Sequence, residues 1–249
     1  MDHDPTRRFS VRVDAYARHR PSYPVEVAAL AERECGLRAR QTVADIGCGT
    51  GLLARLFLER GCFVFGVEPN PEMREAGRKA LAGLEGFQAI DGRAEATALG
   101  AASVDVVTAG QAAHWFDAEA AHAEFTRILR PGGWLMLVWN ERKREPGFMI
   151  EYETLIARHA PEQPRIDAQR ITGLFGGSGW RMARFDHRQT LDADGLRGRV
   201  ASSSYTPLPG TAEFAALMAE VDGLFARHMR DGWVTVEYDT EVYYGRPGA

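Results

Sequence analysis

The strongest constraint on the fold of this chain is a short apolar run, Val43 to Ile46, that ends in Gly47-Cys48-Gly49-Thr50-Gly51. Apolar residues at helical spacing follow it: Leu52, Leu53, Leu56 and Phe57. An apolar run broken by glycines and resumed with a helical period reads as strand, tight turn and helix. The unit then repeats with variations. Cys62 to Val67 ends at Glu68-Pro69-Asn70-Pro71, and Met73 to Leu84 follows with helical spacing, prolines being tolerated at a helix start. Phe87 to Ile90 stops at Asp91-Gly92, and Val104 to Thr108 at Ala109-Gly110-Gln111. Asp117 is placed to cap a helix marked by Phe125, Ile128 and Leu129, which stops at Pro131-Gly132-Gly133 before a strand over Trp134 to Trp139. Strands this apolar, alternating with helices, are buried on both faces, so the expected fold is α/β with a mostly parallel, doubly covered sheet.

After Asn140 the rhythm changes. Glu141 to Pro146 reads as a charged loop, Phe148 to His159 as a helix before the break from Pro161 to Pro164, and 141–178 as a helical lid insertion. Arg181 to Leu191 reads as a strand, Phe214, Leu217, Met218, Val221, Leu224 and Phe225 as a helix with one apolar stripe, and Trp233 to Tyr244 as a late strand. A chain of 249 residues can be organised around one core. The expected single domain has a cap segment (1–40), a cofactor-binding core (41–140), the lid (141–178) and a completion of the sheet (179–249).

With 45% hydrophobic and 26% charged residues, the composition excludes a disordered or collagen-like chain. A net charge of -4 offers no electrostatic footprint for nucleic acid. Three cysteines, Cys35, Cys48 and Cys62, are an odd number without ligand spacing, so no disulfide framework and no metal site are expected. The longest apolar stretch, Leu135 to Trp139, is far too short for a membrane span, and the start, Met1 to Pro5, lacks the apolar run of a signal peptide. A cytoplasmic monomer or homodimer is expected, partnered by a small molecule, with neither nucleic acid nor membrane.

A glycine turn between strand and helix lets backbone N–H groups approach a ligand closely. A dinucleotide loop would read G-x-G-x-x-G; here the glycines are Gly47, Gly49 and Gly51, with Asp45 two residues ahead. Glu68, at the end of the second strand, stands where a carboxylate would accept hydrogen bonds from both hydroxyls of a ribose; the plainer reading is a solvated acid at a strand end.

Four segments together resemble the class I S-adenosylmethionine-dependent methyltransferases: Val43 to Gly51, Val67 to Met73, Asp105-Val106-Val107 with His114-Trp115-Phe116-Asp117, and Leu129 to Gly133. Tyr16 to Pro24 and the His114 to Asp117 run are similar to the type-11 small-molecule enzymes, including the trans-aconitate methyltransferase-like branch. The resemblance implies a Rossmann-like seven-stranded sheet whose last strand is antiparallel. It implies that Gly47, Cys48, Gly49 and Gly51 underlie the methionine part of S-adenosylmethionine, that Asp45 and Glu68 belong to its site, Glu68 on the ribose, and that Pro69, Asn70 and Met73 flank the adenine. In the stretch Gly92-Arg93-Ala94-Glu95, Arg93 occupies the usual acid position, leaving the adenine contact to Ala94, Asp91 or Glu95. Gln111 would face the methionine end. Tyr16 and Arg20 would close over the cofactor, Arg20 on its carboxylate or, alternatively, on a surface acid.

His114 is the candidate general base, with a walling role beside Trp115 as the alternative. Trp139, Asn140 and Arg142 follow the fifth strand on the carboxyl edge, where open α/β sheets bind ligands, and Tyr205, in Ser202 to Tyr205, completes the candidate acceptor side. The expected function is methyl transfer to a small-molecule acceptor, a carboxylic acid being one class. The rivals are a Rossmann NAD(P)-dependent oxidoreductase and a non-catalytic ligand-binding protein of the same fold.

Overall fold

The computed structural model describes residues 18–160 and 166–248. Seven strands form one sheet: β1 (Thr42–Ile46), β2 (Phe63–Val67), β3 (Phe87–Ile90), β4 (Val104–Gly110), β5 (Leu129–Arg142), β6 (Arg181–Leu191) and β7 (Val234–Gly245). Their spatial order is β3-β2-β1-β4-β5-β7-β6, and β7 alone is antiparallel, to β5 on one side and β6 on the other. The expected sheet, antiparallel last strand included, is therefore present.

The described helices are α1 (Glu26–Glu34), α2 (Leu52–Leu58), α3 (Pro71–Ala80), α4 (Ala118–Ile128), α5 (Phe148–His159), α6 (Ala168–Phe175), α7 (Ala193–Ala201) and α8 (Ala212–His228). Because side chains alternate across a strand, neighbours in one run serve opposite layers. Ala44, Val107, Leu135 and Leu137 pack with Phe125 and Ile128 of α4 and Leu174 and Phe175 of α6. Val43, Val106, Met136 and Val138 meet Val27 and Leu30 of α1 and Leu53 and Phe57 of α2 on the other face. A third cluster joins Tyr152 and Leu155 of α5, Leu196 and Val200 of α7, Leu217 and Val221 of α8, and Val236 and Tyr238 of β7. Within 141–178, then, α6 belongs to the layer covering the sheet and α5 to this third cluster.

Several boundaries differ from the sequence pattern. β5 starts on Leu129, which pairs with Val104, and it includes Pro131-Gly132-Gly133 across a register shift. At its other end Glu141 and Arg142 pair with Asp239 and Tyr238, so the charged loop begins only at Lys143. Pairing with a long partner strand overrides local charge here. α7 carries a weak pattern; Gly195 and Gly198 interrupt its stripe, and a Cβ at Gly198 would lie 2.2 Å from His19. The helix over Met73 ends at Ala80 rather than Leu84.

Gly51 caps α2 at φ +82°, and a Cβ there would lie 2.5 Å from Leu81 Cδ1, itself buried. Gly51→Ala should destabilise the protein by about 2–3 kcal/mol from left-handed strain and overpacking, read as a lower melting temperature.

Candidate active site

The chain moves outward from β1 through β2 to β3 on one side and through β4 to β5 on the other, so a crevice opens where β1 and β4 end side by side. The turn after β1 is tied to the neighbouring strand: Gly47 and Cys48 donate their N–H groups to Val67 O, at 2.8 and 3.1 Å. Gly47, at φ +68°, has Ala112 Cβ 2.7 Å from where its own Cβ would be, so the turn after β4 closes directly onto it.

Glu68 is buried and its carboxylate is held in place. Oε2 accepts from Gly49 N and Oε1 from Asn70 N, both at 2.9 Å. Burial raises its pKa, while the Asn70 and Gly49 N–H groups and Arg74 favour the charged form. Each oxygen keeps a further acceptor position, which makes the group a bidentate acceptor for a diol. Asn70 in turn caps α3 by accepting from Met73 N at 2.8 Å. These residues border a half-open cleft whose lining is completed by the Arg93-Ala94-Glu95 turn, Gln111, Trp115 and Phe116.

Gln111 adopts φ +54°, rare for a side chain other than glycine. Two hydrogen bonds hold it there: its N–H to Val138 O at 3.0 Å, and Asn140 N to its Oε1 at 2.8 Å. Such strain persists only where surroundings over-determine it.

A smaller cavity adjoins the cleft through Gly47 and Gly110 and is lined by Asp45, Cys48, Thr50 and Tyr23. Neither Asp45 oxygen has a hydrogen-bond partner of good geometry, and Thr50 Oγ1 is likewise unpartnered. Burial raises the Asp45 carboxyl to about 8; the Ala54 N–H opposes this and the Glu68 charge adds to it. A buried carboxyl with no well-aligned donor suits a cationic ligand group. S-adenosylmethionine has the matching parts, a ribose diol for Glu68 and an ammonium for Asp45, so the residues present fit it.

Among the residues expected on the cofactor, Gly47, Gly49, Glu68, Pro69, Asn70, Met73, Arg93, Ala94, Glu95 and Gln111 line the main cleft, and Asp45 and Cys48 the adjoining cavity. Gly51 serves the helix start instead. Glu95 accepts from Asp117 N at 2.9 Å, and Asp91 pairs with Arg74 at 3.1 Å. Tyr16 lies outside the described residues. Gly110, Phe116, Thr50 and Tyr23 also line the site; each lies in a segment singled out in the sequence but carries no role of its own there.

On the acceptor side, Trp115 borders the cleft, while Trp139 is buried in the core with its ring 5.2 Å from that of His114. Asn140 donates to Ser22 O at 3.0 Å and accepts from Thr240 Oγ1 at 2.6 Å, fastening the N-terminal segment to β7. Arg142 is not on a solvated loop. It ends β5, pairs with Glu153 and donates to the Tyr205 hydroxyl at 2.8 Å. Tyr205 lies in the turn after α7. Burial, reinforced by the charges of Arg170 and Arg20, lowers His114 to about 3, and neither ring nitrogen has a partner.

A family model for the methyltransferase domain matches residues 44–137. The chain is 41% identical over 164 residues to an uncharacterized methyltransferase of Mycobacterium tuberculosis, an alignment covering 66% of this chain and 65% of that relative's length. It is 31% identical over 224 residues to an uncharacterized methyltransferase of Schizosaccharomyces pombe, covering 87% and 86% of the two. A protein of Anaeromyxobacter dehalogenans solved as a candidate type II methyltransferase shares the fold at a TM-score of 0.68 and 22% identity, over 91% of this chain and 97% of that one. These likenesses remove the oxidoreductase reading, which the G-x-G-x-G spacing already disfavours. The chain belongs to the class I S-adenosylmethionine-dependent methyltransferases.

Proposed function

We propose that this protein transfers the methyl group of S-adenosylmethionine to a small-molecule acceptor. The observation that carries the reading is the placing, in two adjoining cavities, of the doubly anchored Glu68 carboxylate and the buried Asp45 carboxyl, which has no well-aligned hydrogen-bond partner. When bound, the cofactor supplies a methyl carbon made electrophilic by its sulfonium. The chain's own residues bind and orient. Glu68 receives the ribose, Asp45 the ammonium, and Asn70, Met73 and Ala94 wall the adenine end. Trp115 and Phe116 keep water from the reacting end, which leaves alignment as the main catalytic contribution. A small acceptor is supported by the acceptor side being built from interior groups, Trp139, Asn140 and Arg142, rather than from an open surface.

His114 is a neutral ring whose nitrogens have no hydrogen-bond partner in the protein, which leaves it a wall of the pocket or a hydrogen-bonding group for a ligand rather than a base. With its pKa near 3, its conjugate acid would be too strong to hold a proton taken from an acceptor at neutral pH. The expected pH profile of kcat therefore has no falling limb between about pH 7 and pH 5, the range in which an ordinary histidine titrates.

Titration calorimetry with S-adenosylhomocysteine, with NAD as the control, tests the cofactor. A screen of acids, phenols and amines for S-adenosylhomocysteine formation tests the reaction. Saturable binding with turnover is expected; binding without turnover on any acceptor would establish the non-catalytic rival.

A further inference from the structure

Residues 18–24 precede α1 and are fastened to three other elements. His19 O accepts from Gln189 Nε2 of β6 at 2.9 Å, and Ser22 O accepts from Asn140 Nδ2 of β5 at 3.0 Å. The His19 ring is seated on Gly198 of α7, where a Cβ would come within 2.2 Å of its Cδ2 and 2.4 Å of its Cγ. Tyr23 is buried, and its hydroxyl lies 2.6 Å from where a Cβ of Gly110 would stand. Gly110 borders both the cofactor cleft and the small cavity of Asp45, and Tyr23 lines the latter, so Tyr23 forms a wall where the two meet.

Asn140, itself buried, holds this segment and the cleft at once. Its backbone N–H donates to Oε1 of Gln111, a cleft residue, at 2.8 Å, while its side chain bridges Ser22 and Thr240. The direction of the side-chain amide is forced. A carbonyl oxygen such as Ser22 O only accepts, so the NH2 group must face it, and the Thr240 hydroxyl then donates to Oδ1 at 2.6 Å. A buried amide that loses its partner is costly, so this bond yields only when the segment lifts and water replaces it.

We propose that Asn140 is a positioning residue for the cofactor: by holding Ser22 it keeps residues 18–24 closed over the junction of the cleft and the Asp45 cavity, and the cofactor enters and leaves only when that bond opens. The inference rests on the reading of these cavities as the S-adenosylmethionine site. It divides two tasks within one residue. The backbone N–H sets Gln111, and a side-chain substitution leaves it in place; the side chain governs the segment.

A gate slows entry and exit alike. Loosening it raises the association and dissociation rates together and leaves Kd nearly unchanged. Loss of a direct cofactor contact would instead speed dissociation alone and weaken Kd in proportion.

The test is stopped-flow association and dissociation of S-adenosylhomocysteine, followed by tryptophan fluorescence, since Trp115 borders the cleft. Asn140→Leu removes the donor to Ser22 with little change in volume. Gly198→Ala drives His19 off its seat from the opposite side; it lines neither cavity, and alanine favours the helix. Both rates should rise about fivefold to tenfold in each variant, with Kd within about threefold of the unmodified protein. Thr240→Val, which leaves the amide unoriented, should act in the same direction, and Thr240→Ser should keep the original rates. Hydrogen exchange gives a readout without ligand: the amides of residues 19–23 should exchange faster in Asn140→Leu and Gly198→Ala. Should Asn140→Leu fail to fold, Gly198→Ala decides. Unchanged rates in either folded variant, unchanged exchange of the segment, or faster dissociation with unchanged association and a weaker Kd would overturn the proposal. Failure of S-adenosylhomocysteine to bind the unmodified protein would instead overturn the reading of the cofactor site.

Discussion

Glu68→Ala should weaken binding of S-adenosylhomocysteine by about 1.5–3 kcal/mol, roughly ten- to a hundredfold, the range for hydrogen bonds to a charged acceptor. The structure adds a second effect. Gly49 N and Asn70 N both depend on this carboxylate, and its removal leaves two buried donors unsatisfied at about 1–3 kcal/mol each. The variant should melt earlier even without ligand. Glu68→Gln keeps one acceptor but turns an amide NH2 toward one of those donors, so it should recover only part of either loss. Calorimetry and thermal melting read the two effects separately. Unchanged affinity in both variants would show that Glu68 does not meet the ribose.

Asp45→Asn should move stability and binding in opposite directions. In the ligand-free protein burial raises this carboxyl to about 8, far above its unfolded value. A raised folded pKa means that the stability tied to the protonated form is complete below the unfolded pKa of about 4 and is lost as pH rises through about 8. Asparagine has no proton to lose, so the ligand-free variant should be the more stable protein at pH 8, by about 1–3 kcal/mol, the scale of one unsatisfied buried polar group. Cofactor binding should suffer, because an ammonium beside Asp45 loses its anion. In the unmodified protein that ammonium would draw the carboxyl into its charged form and release a proton, so affinity for S-adenosylhomocysteine should rise from about pH 6 to pH 8. A pH-independent affinity, or a variant that binds equally well, would place the ammonium elsewhere.

Much of the candidate cofactor site is legible in the amino-acid order, because its residues sit at strand ends where local chemistry and chain position coincide. A glycine turn follows β1, Glu68 and Asn70 follow β2, and Gln111 follows β4; the apolar runs locate these strand ends, the family resemblance supplies the expected roles, and the Asn70 cap shows only in the structure. The strands' double-sided burial is equally a local property, since neighbouring residues such as Val106 and Val107 must each find an apolar layer.

The acceptor side depends on contacts between distant segments. Arg142 carries the sequence signature of a solvated charge run, and only pairing with Tyr238 and the facing Glu153 bury it. Asn140 has no pattern of its own, and only Ser22 and Thr240, 118 and 100 residues away, make it a joint between segments. Glu68 has the pattern of a simple ligand for a ribose, yet it also holds two backbone N–H groups that its position in the chain does not reveal. Hydrophobic period and turn chemistry act over a few residues, so the order of strands and helices and the residues at the cofactor edge follow from the chain alone. Which charges are buried together follows only from the folded arrangement, because the cost of burying a charge depends on partners supplied by elements far away in the chain.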